Sequence, residues 1–135
     1  MRLRTDLIDL CEAALEHRLD RTRADWDRDS ALGVVLAAPG YPDTPQLGGA
    51  IAGLEQAAQL PGKVFHAGTR REDARVLTSG GRVLCAVGCG ARVSDAQRQA
   101  YALVERISFP GMQYRRDIGQ RALKREAPLQ TQTDK

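Results

Sequence analysis

The run Leu32-Gly33-Val34-Val35-Leu36-Ala37-Ala38 constrains this chain more than any other feature. It is continuously apolar, β-branched at its centre, and halted by Pro39-Gly40-Tyr41-Pro42. That pattern predicts a strand buried on both faces. At its full extent, Ala31 to Ala38, it is far short of the roughly 20 residues needed to cross a bilayer. A strand of this kind needs a sheet around it and cover above and below. A chain of 135 residues has room to build that once, as a single domain. A complete ATP-dependent ligase, dinucleotide oxidoreductase or kinase ordinarily takes two or more domains of about 100–150 residues, so a whole enzyme of those classes does not fit. The opening Met1-Arg2-Leu3-Arg4-Thr5-Asp6 brings in an acid before any apolar h-region forms, which excludes a secretory signal and sets the expected location as cytoplasmic.

Upstream of this strand, Leu7, Leu10, Cys11, Ala14 and Leu15 recur at helical spacing. Thr5 is placed to cap that helix, and Asp6 and Asp9 favour its first turn. Asp20 to Asp29 reads as a charged connector whose single tryptophan, Trp26, anchors on the body. Downstream, a Gly/Pro-rich loop leads to a short helix over Leu54–Leu60, a strand over Lys63–Ala67 and a solvated turn over Arg70–Asp73. Arg75–Thr78 and Arg82–Val87 flank Ser79-Gly80-Gly81, which predicts a hairpin whose glycines take positive φ. Strand alternation then puts Val83, Cys85 and Val87 on one face and Arg82, Leu84 and Ala86 on the other, with Arg82 at the hairpin mouth. Ser94-Asp95-Ala96-Gln97 has the form of a capping box, opening a helix that buries Ala100, Leu103, Val104 and Ile107. Tyr114 to Gly119 is a short strand or turn, a last helix covers Gln120–Glu126, and a polar tail follows. The order predicts an α+β fold, a largely antiparallel sheet with packed helices.

Three cysteines, an odd number, argue against a disulfide framework, and Cys85 and Cys89 lack the spacing and partners of a zinc site. No Gly-x-Gly-x-x-Gly, phosphate-loop or Gly-x-Ser-x-Gly motif is present. Neither His17 nor His66 has a carboxylate at triad or ligand spacing, so no catalytic and no metal-ligating residue is assigned. The net charge of +3 comes with arginine in great excess over lysine, a composition suited to phosphate or carboxylate recognition and equally to a solvated surface. Basic and acidic residues interleave and aromatics are few, which excludes a nucleic-acid groove. Arg82, following two glycines that let backbone amides approach a ligand, reads either as an anion-gripping residue or as an exposed residue opening a strand.

Several stretches, taken in order, carry a resemblance. They are Arg2-Leu3-x-Thr5-Asp6-Leu7, Trp26-Asp27, Ala31-Leu32-Gly33-Val34-Val35, Gly40-Tyr41-Pro42, Phe65-His66-Ala67-Gly68-Thr69, Thr78-x-Gly80-Gly81-Arg82-Val83-Leu84, Ala100-Tyr101 and Tyr114-Arg115-x-Asp117-Ile118-Gly119. Together, from Arg2 to about Arg125, they resemble the C-terminal part of the glycinamide ribonucleotide synthetases, or phosphoribosylamine-glycine ligases. The resemblance implies the C-terminal lobe of an ATP-grasp ligase of purine biosynthesis. Such a ligase joins glycine to 5-phosphoribosylamine using ATP and Mg²⁺. Its acidic and asparagine metal ligands lie just upstream of the position matching Arg2. On this reading ATP and Mg²⁺ belong to the full-length enzyme and neither binds this chain alone, which is expected to be inactive. The N-terminal and ATP-grasp lobes are its missing partners. Distant ATP-grasp relatives hold a substrate phosphate with arginines on a comparable hairpin. By resemblance Arg82, with Gly80 and Gly81, becomes a substrate-binding residue, and His66 and Thr69 support the same pocket.

The same resemblance divides the chain into a helix and connector over residues 1–30, from the end of the ATP-grasp region, a C-terminal domain over 31–126 and a disordered tail over 127–135. It departs from the family pattern at Pro39 and at Val87-Gly88-Cys89-Gly90, and Met1 stands where the family polypeptide continues, so the start reads as a truncation or a split gene. The alternative is a stand-alone sugar-phosphate-binding or interaction module.

Overall fold

The computed structural model describes residues 1–126; the tail expected at 127–135 lies outside them. Two antiparallel three-stranded sheets organise the molecule, which is α+β as expected. The first is built from β1 (Ser30–Ala37), β3 (Lys63–His66) and β6 (Arg82–Gly90) in the order β1-β6-β3. The second has β2 (Ala50–Ile51), β4 (Thr69–Glu72) and β5 (Arg75–Thr78) in the order β2-β5-β4. Helix α3 (Val93–Val104) lies across β6 and β1, and Leu32, Val34, Leu36, Leu84 and Ala86 meet Ala96, Ala100, Leu103 and Val104 in the core. Burying side chains of this size is worth about 1.5–3 kcal/mol for each large one. This face therefore holds the domain together. Gly88 belongs to the same seam: a Cβ there would stand 2.1 Å from the Ala96 carbonyl oxygen, so the helix backbone rests directly on the strand.

Strand β1 departs from expectation. Its burial alternates, with Leu32, Val34 and Leu36 inside and Val35 43% exposed on the other side. Helix α3 covers one face of the sheet. On the opposite face the register sets Val35, Cys85 and Phe65 side by side across all three strands.

The hairpin expected around Gly80-Gly81 is also overturned. β5 pairs with β4 and β2, and β6 pairs with β1 and β3, so the two strands belong to different sheets. The true hairpin is β4–β5, turning at Asp73, whose φ is 52°, and the stretch read as a solvated turn forms its first strand. Two connections, Ala67-Gly68 and Ser79-Gly81, pass between the sheets at one point. There the Gly68 N–H donates to the Arg82 carbonyl (2.8 Å) and the Ser79 N–H to the Gly68 carbonyl (2.8 Å). A Cβ on Gly68 would lie 2.7 Å from the Gly80 Cα. Glycine is needed here for contact between two main chains; neither Gly80 nor Gly81 has positive φ.

Residues 2–27 close on themselves. Arg4 N donates to the Asp25 carbonyl (2.9 Å), Asp27 N to the Arg2 carbonyl (2.7 Å), and the Arg4 guanidinium meets the Asp27 carboxylate at 2.8 Å. Trp26 is 60% exposed, so backbone pairing and the arginine–aspartate contact anchor this connector, not its indole. Helix α1 (Leu7–Leu15) is capped by Asp6, which accepts from the Ile8 N–H at 2.8 Å, while Thr5 Oγ1 is engaged by the Asp25 N–H. The expected apolar stripe forms but does not pack on the core: Leu7 is 62% and Leu15 81% exposed.

Helix α3 starts at Val93, one residue before the expected Ser94 cap. Its orphan Val93 and Ser94 N–H groups donate to the carboxylate of Glu126, at the end of the last helix, α4 (Gln120–Glu126). Gln97, expected to close a capping box, instead donates to the Ile118 carbonyl at 2.7 Å. Between α1 and β1 runs a 3-10 turn, Leu19–Arg21, and α2 (Leu54–Ala58) precedes β3.

Candidate functional site

Arg82 opens β6 at the place where its pairing with β1 slips. Leu36 stands opposite Leu84 but Ala37 stands opposite Arg82, which leaves Val83 out of register. A bulge of this kind re-aims the side chains beside it. Strict alternation would have set Arg82 with Leu84 and Ala86, both fully buried under α3. Instead Val83 takes the buried place and Arg82 is exposed. It lines a cleft of about 600 Å³ together with Val35, Tyr41, Gly68, Gly81 and Cys85. This cleft is the upper end of the sheet face that α3 leaves open.

The backbone under Arg82 is held from three sides. The Ala38 N–H donates to the Gly81 carbonyl (2.9 Å) and the Gly68 N–H to that of Arg82 (2.8 Å). The Tyr41 ring lies where a side chain on residue 81 would be, with Cδ2 2.4 Å from an ideal Cβ. No carboxylate of the described residues comes within 4 Å of the Arg82 guanidinium. Burial in the cleft pushes the Cys85 thiol up from its ordinary range, so it stays protonated and adds no negative charge. The result is a mostly apolar recess whose rim carries a cation with no carboxylate partner among the described residues. Such a site suits a ligand with a compact anionic group, which a guanidinium fork grips in two places.

Five sequence-predicted site residues are divided between two recesses. Gly81 and Arg82 line the one just described, and Gly80 supports it from below against Gly68. His66 and Thr69 line a neighbouring cleft of about 640 Å³ with Arg71 and Arg75. They meet each other, His66 Nδ1 to Thr69 Oγ1 at 2.9 Å, and so bracket the Ala67-Gly68 crossing. The residue missed was Tyr41. Its signal was present in Gly40-Tyr41-Pro42, but nothing local connects that turn to a segment 40 residues on.

Among the described residues no three His, Cys, Asp or Glu side chains gather closely enough to hold a metal ion. None of the helices they form is long and apolar enough to cross a membrane.

The fold and cleft thus define an α+β domain with an exposed arginine at the rim of a cleft and, among the described residues, no cluster of metal-ligating side chains. Residues 31–121 match the family described as phosphoribosylglycinamide synthetase, C domain, and the chain belongs to that family. The phosphoribosylamine--glycine ligase of Neisseria meningitidis serogroup A is 54% identical over 92% of this chain and 29% of its own length. That of Pseudomonas aeruginosa is 55% identical over 93% and 29%. A crystal structure of phosphoribosylamine--glycine ligase from Thermotoga maritima superimposes with a TM-score of 0.56 at 45% identity, over 64% of this chain and 21% of that one. The chain therefore spans less than a third of the length of the relatives it matches.

Proposed function

We propose that this chain is the C-terminal lobe of an ATP-grasp phosphoribosylamine-glycine ligase, working in the cytoplasm in purine biosynthesis. That enzyme converts ATP, glycine and 5-phosphoribosylamine to glycinamide ribonucleotide, ADP and phosphate. One observation carries the reading: identity above 50% along nearly the whole chain, to proteins of which it spans 29%. ATP would supply the activated phosphoryl group and Mg²⁺ the neutralising charge. The described residues do not fit Mg²⁺ as a binding set, because no acidic cluster is present among them and the clefts carry arginines. Both ATP and Mg²⁺ are assigned to the other lobes, as is glycine, and the chain alone is inactive.

The lobe's own part is to hold 5-phosphoribosylamine by its phosphate. The Arg82 guanidinium grips the phosphate oxygens, and Gly80 and Gly81 keep the approach clear. His66 and Thr69 act from the adjoining cleft by fixing the crossing beneath Arg82. The phosphate lies far from the reacting amine, so this contact is equally strong before and during reaction and serves affinity. Residues 1–30, with the exposed Leu7 and Leu15, and the open Val35-Cys85-Phe65 row are surfaces that pack on the missing lobes. The test is a chimera in which this chain replaces the matching C-terminal segment of the Pseudomonas aeruginosa ligase. Glycine- and phosphoribosylamine-dependent ATP turnover is expected from the chimera and not from the chain alone. A folded but inactive chimera, or turnover by the chain alone, contradicts the proposal.

A further inference from the structure

We propose that Tyr41 is a positioning residue for the Arg82 site: its ring holds the Gly81-Arg82 main chain so that the guanidinium faces the cleft. This rests on the reading of that cleft as the sugar-phosphate site and adds to it a residue from a distant turn.

The turn that presents Tyr41 is itself fixed. Tyr41 N donates to the Ala38 carbonyl (3.2 Å), Thr44 N to that of Gly40 (2.9 Å) and Gln46 N to that of Pro39 (2.9 Å). Gly40 has φ of 83°, and a Cβ there would lie 2.3 Å from the Thr44 carbonyl oxygen, so no other residue makes this turn without rearrangement. The ring this delivers presents its Cδ2–Cε2 edge to residue 81, at 2.4 and 3.0 Å from an ideal Cβ. Ring and missing side chain thus share one space. That gives Gly81 a purpose its φ does not supply. Two hydrogen bonds hold the carbonyls of Gly81 and Arg82; the ring closes the remaining side and still leaves 41% of Tyr41 exposed. Without it, the segment before Arg82 loses the aromatic wall that Tyr41 gives the cleft, and the guanidinium fork is no longer held in one direction. Preorganised cations bind more tightly because less freedom is lost on binding.

The experiment is a titration of the ¹⁵N-labelled 135-residue chain with ribose 5-phosphate, followed at the Gly68, Gly81 and Arg82 amides. Saturable shifts are expected in the unmodified chain. Tyr41→Phe, which retains the ring, should bind within twofold of it. Tyr41→Ala and Gly81→Ala should each bind at least fivefold more weakly, while amides of the α3-covered core keep their shifts. The double variant should bind no more weakly than either single one, because each removes the same contact. Tyr41→Ala binding within twofold overturns the positioning role, provided Arg82→Ala still abolishes the shifts. Equal loss in Tyr41→Phe overturns it in favour of a direct hydroxyl contact. If the unmodified chain gives no saturable shift, or Arg82→Ala changes nothing, the phosphate reading of the cleft fails and the proposal with it.

Discussion

Gly68 and Gly80 show how one residue type serves two purposes that look alike in a sequence. Paired glycines between two short strands are the ordinary mark of a tight hairpin, since they supply positive φ. Here they allow two main chains to cross in contact, and the backbone angles are unremarkable. A local pattern cannot separate these cases, because the second partner, Gly68, lies 12 residues away. Arg82 was legible as a candidate and as an exposed residue; its place on the face of Val35 and Cys85 was not, because a bulge cancels the alternation from which its side was judged. Replacing Gly68 with Ala puts a methyl 2.7 Å from both the Gly80 Cα and the Arg82 carbonyl oxygen. Such overpacking should cost about 1–3 kcal/mol, read as a lower urea midpoint at unchanged slope. Gly80→Ala, whose Cβ meets Gly68 Cα at 3.1 Å, should cost less.

Among the elements, helices were read more reliably than pairings. Apolar spacing located α1 and α3 closely because a helix satisfies its own periodicity, and α2 and α4 also fall where the sequence reading set them. Strand partners are non-local, and so two sheets were read as one. The start of α3 makes the same point: a capping box was visible in Ser94–Gln97, yet Glu126 supplies the cap from a helix 32 residues on. Hydrogen bonds from the Val93 and Ser94 N–H groups hold the Glu126 carboxyl below its ordinary value of 4.5. A carboxylate depressed in the folded state stabilises fully above its unfolded pKa and loses that contribution as pH falls through the folded one. Thermal midpoints should therefore drop on acidification from pH 5 downward, and Glu126→Gln should lower the midpoint at pH 7 and weaken its dependence on pH below 5. An unchanged midpoint at pH 7 would remove the cap. For α1, exposed Leu7, Ile8 and Leu15 imply few stabilising contacts. Its amides should exchange rapidly in a dilute monomer, whereas strong protection across residues 10–15 would show that the helix is docked.

At the scale of the whole molecule, family membership was the most legible property of all. It depends on the order of many weak motifs, and that order survives errors in the local structure of each. The same scale explains the misreading of β1. A continuously apolar strand implies cover on both faces, and in the described residues α3 provides one. The open row of Val35, Cys85 and Phe65 is consistent with a lobe whose second cover lies in the rest of a ligase. The isolated chain should accordingly self-associate with rising concentration, and a Val35→Glu/Phe65→Glu variant should remain monomeric by light scattering.

The central claim is that this lobe binds the sugar phosphate and leaves the chemistry to its partners. Steady-state kinetics of Arg82→Ala in the active chimera test it most directly. A charge-assisted contact to phosphate is worth about 1.5–3 kcal/mol, so KM for 5-phosphoribosylamine should rise roughly tenfold to a hundredfold. The KM values for ATP and glycine should stay within twofold of the parent, and kcat should hardly change. Arg82→Lys should fall between, since it retains the charge and loses the fork. An Arg82→Ala enzyme with unaltered phosphoribosylamine kinetics, or with its loss confined to kcat, would contradict the account.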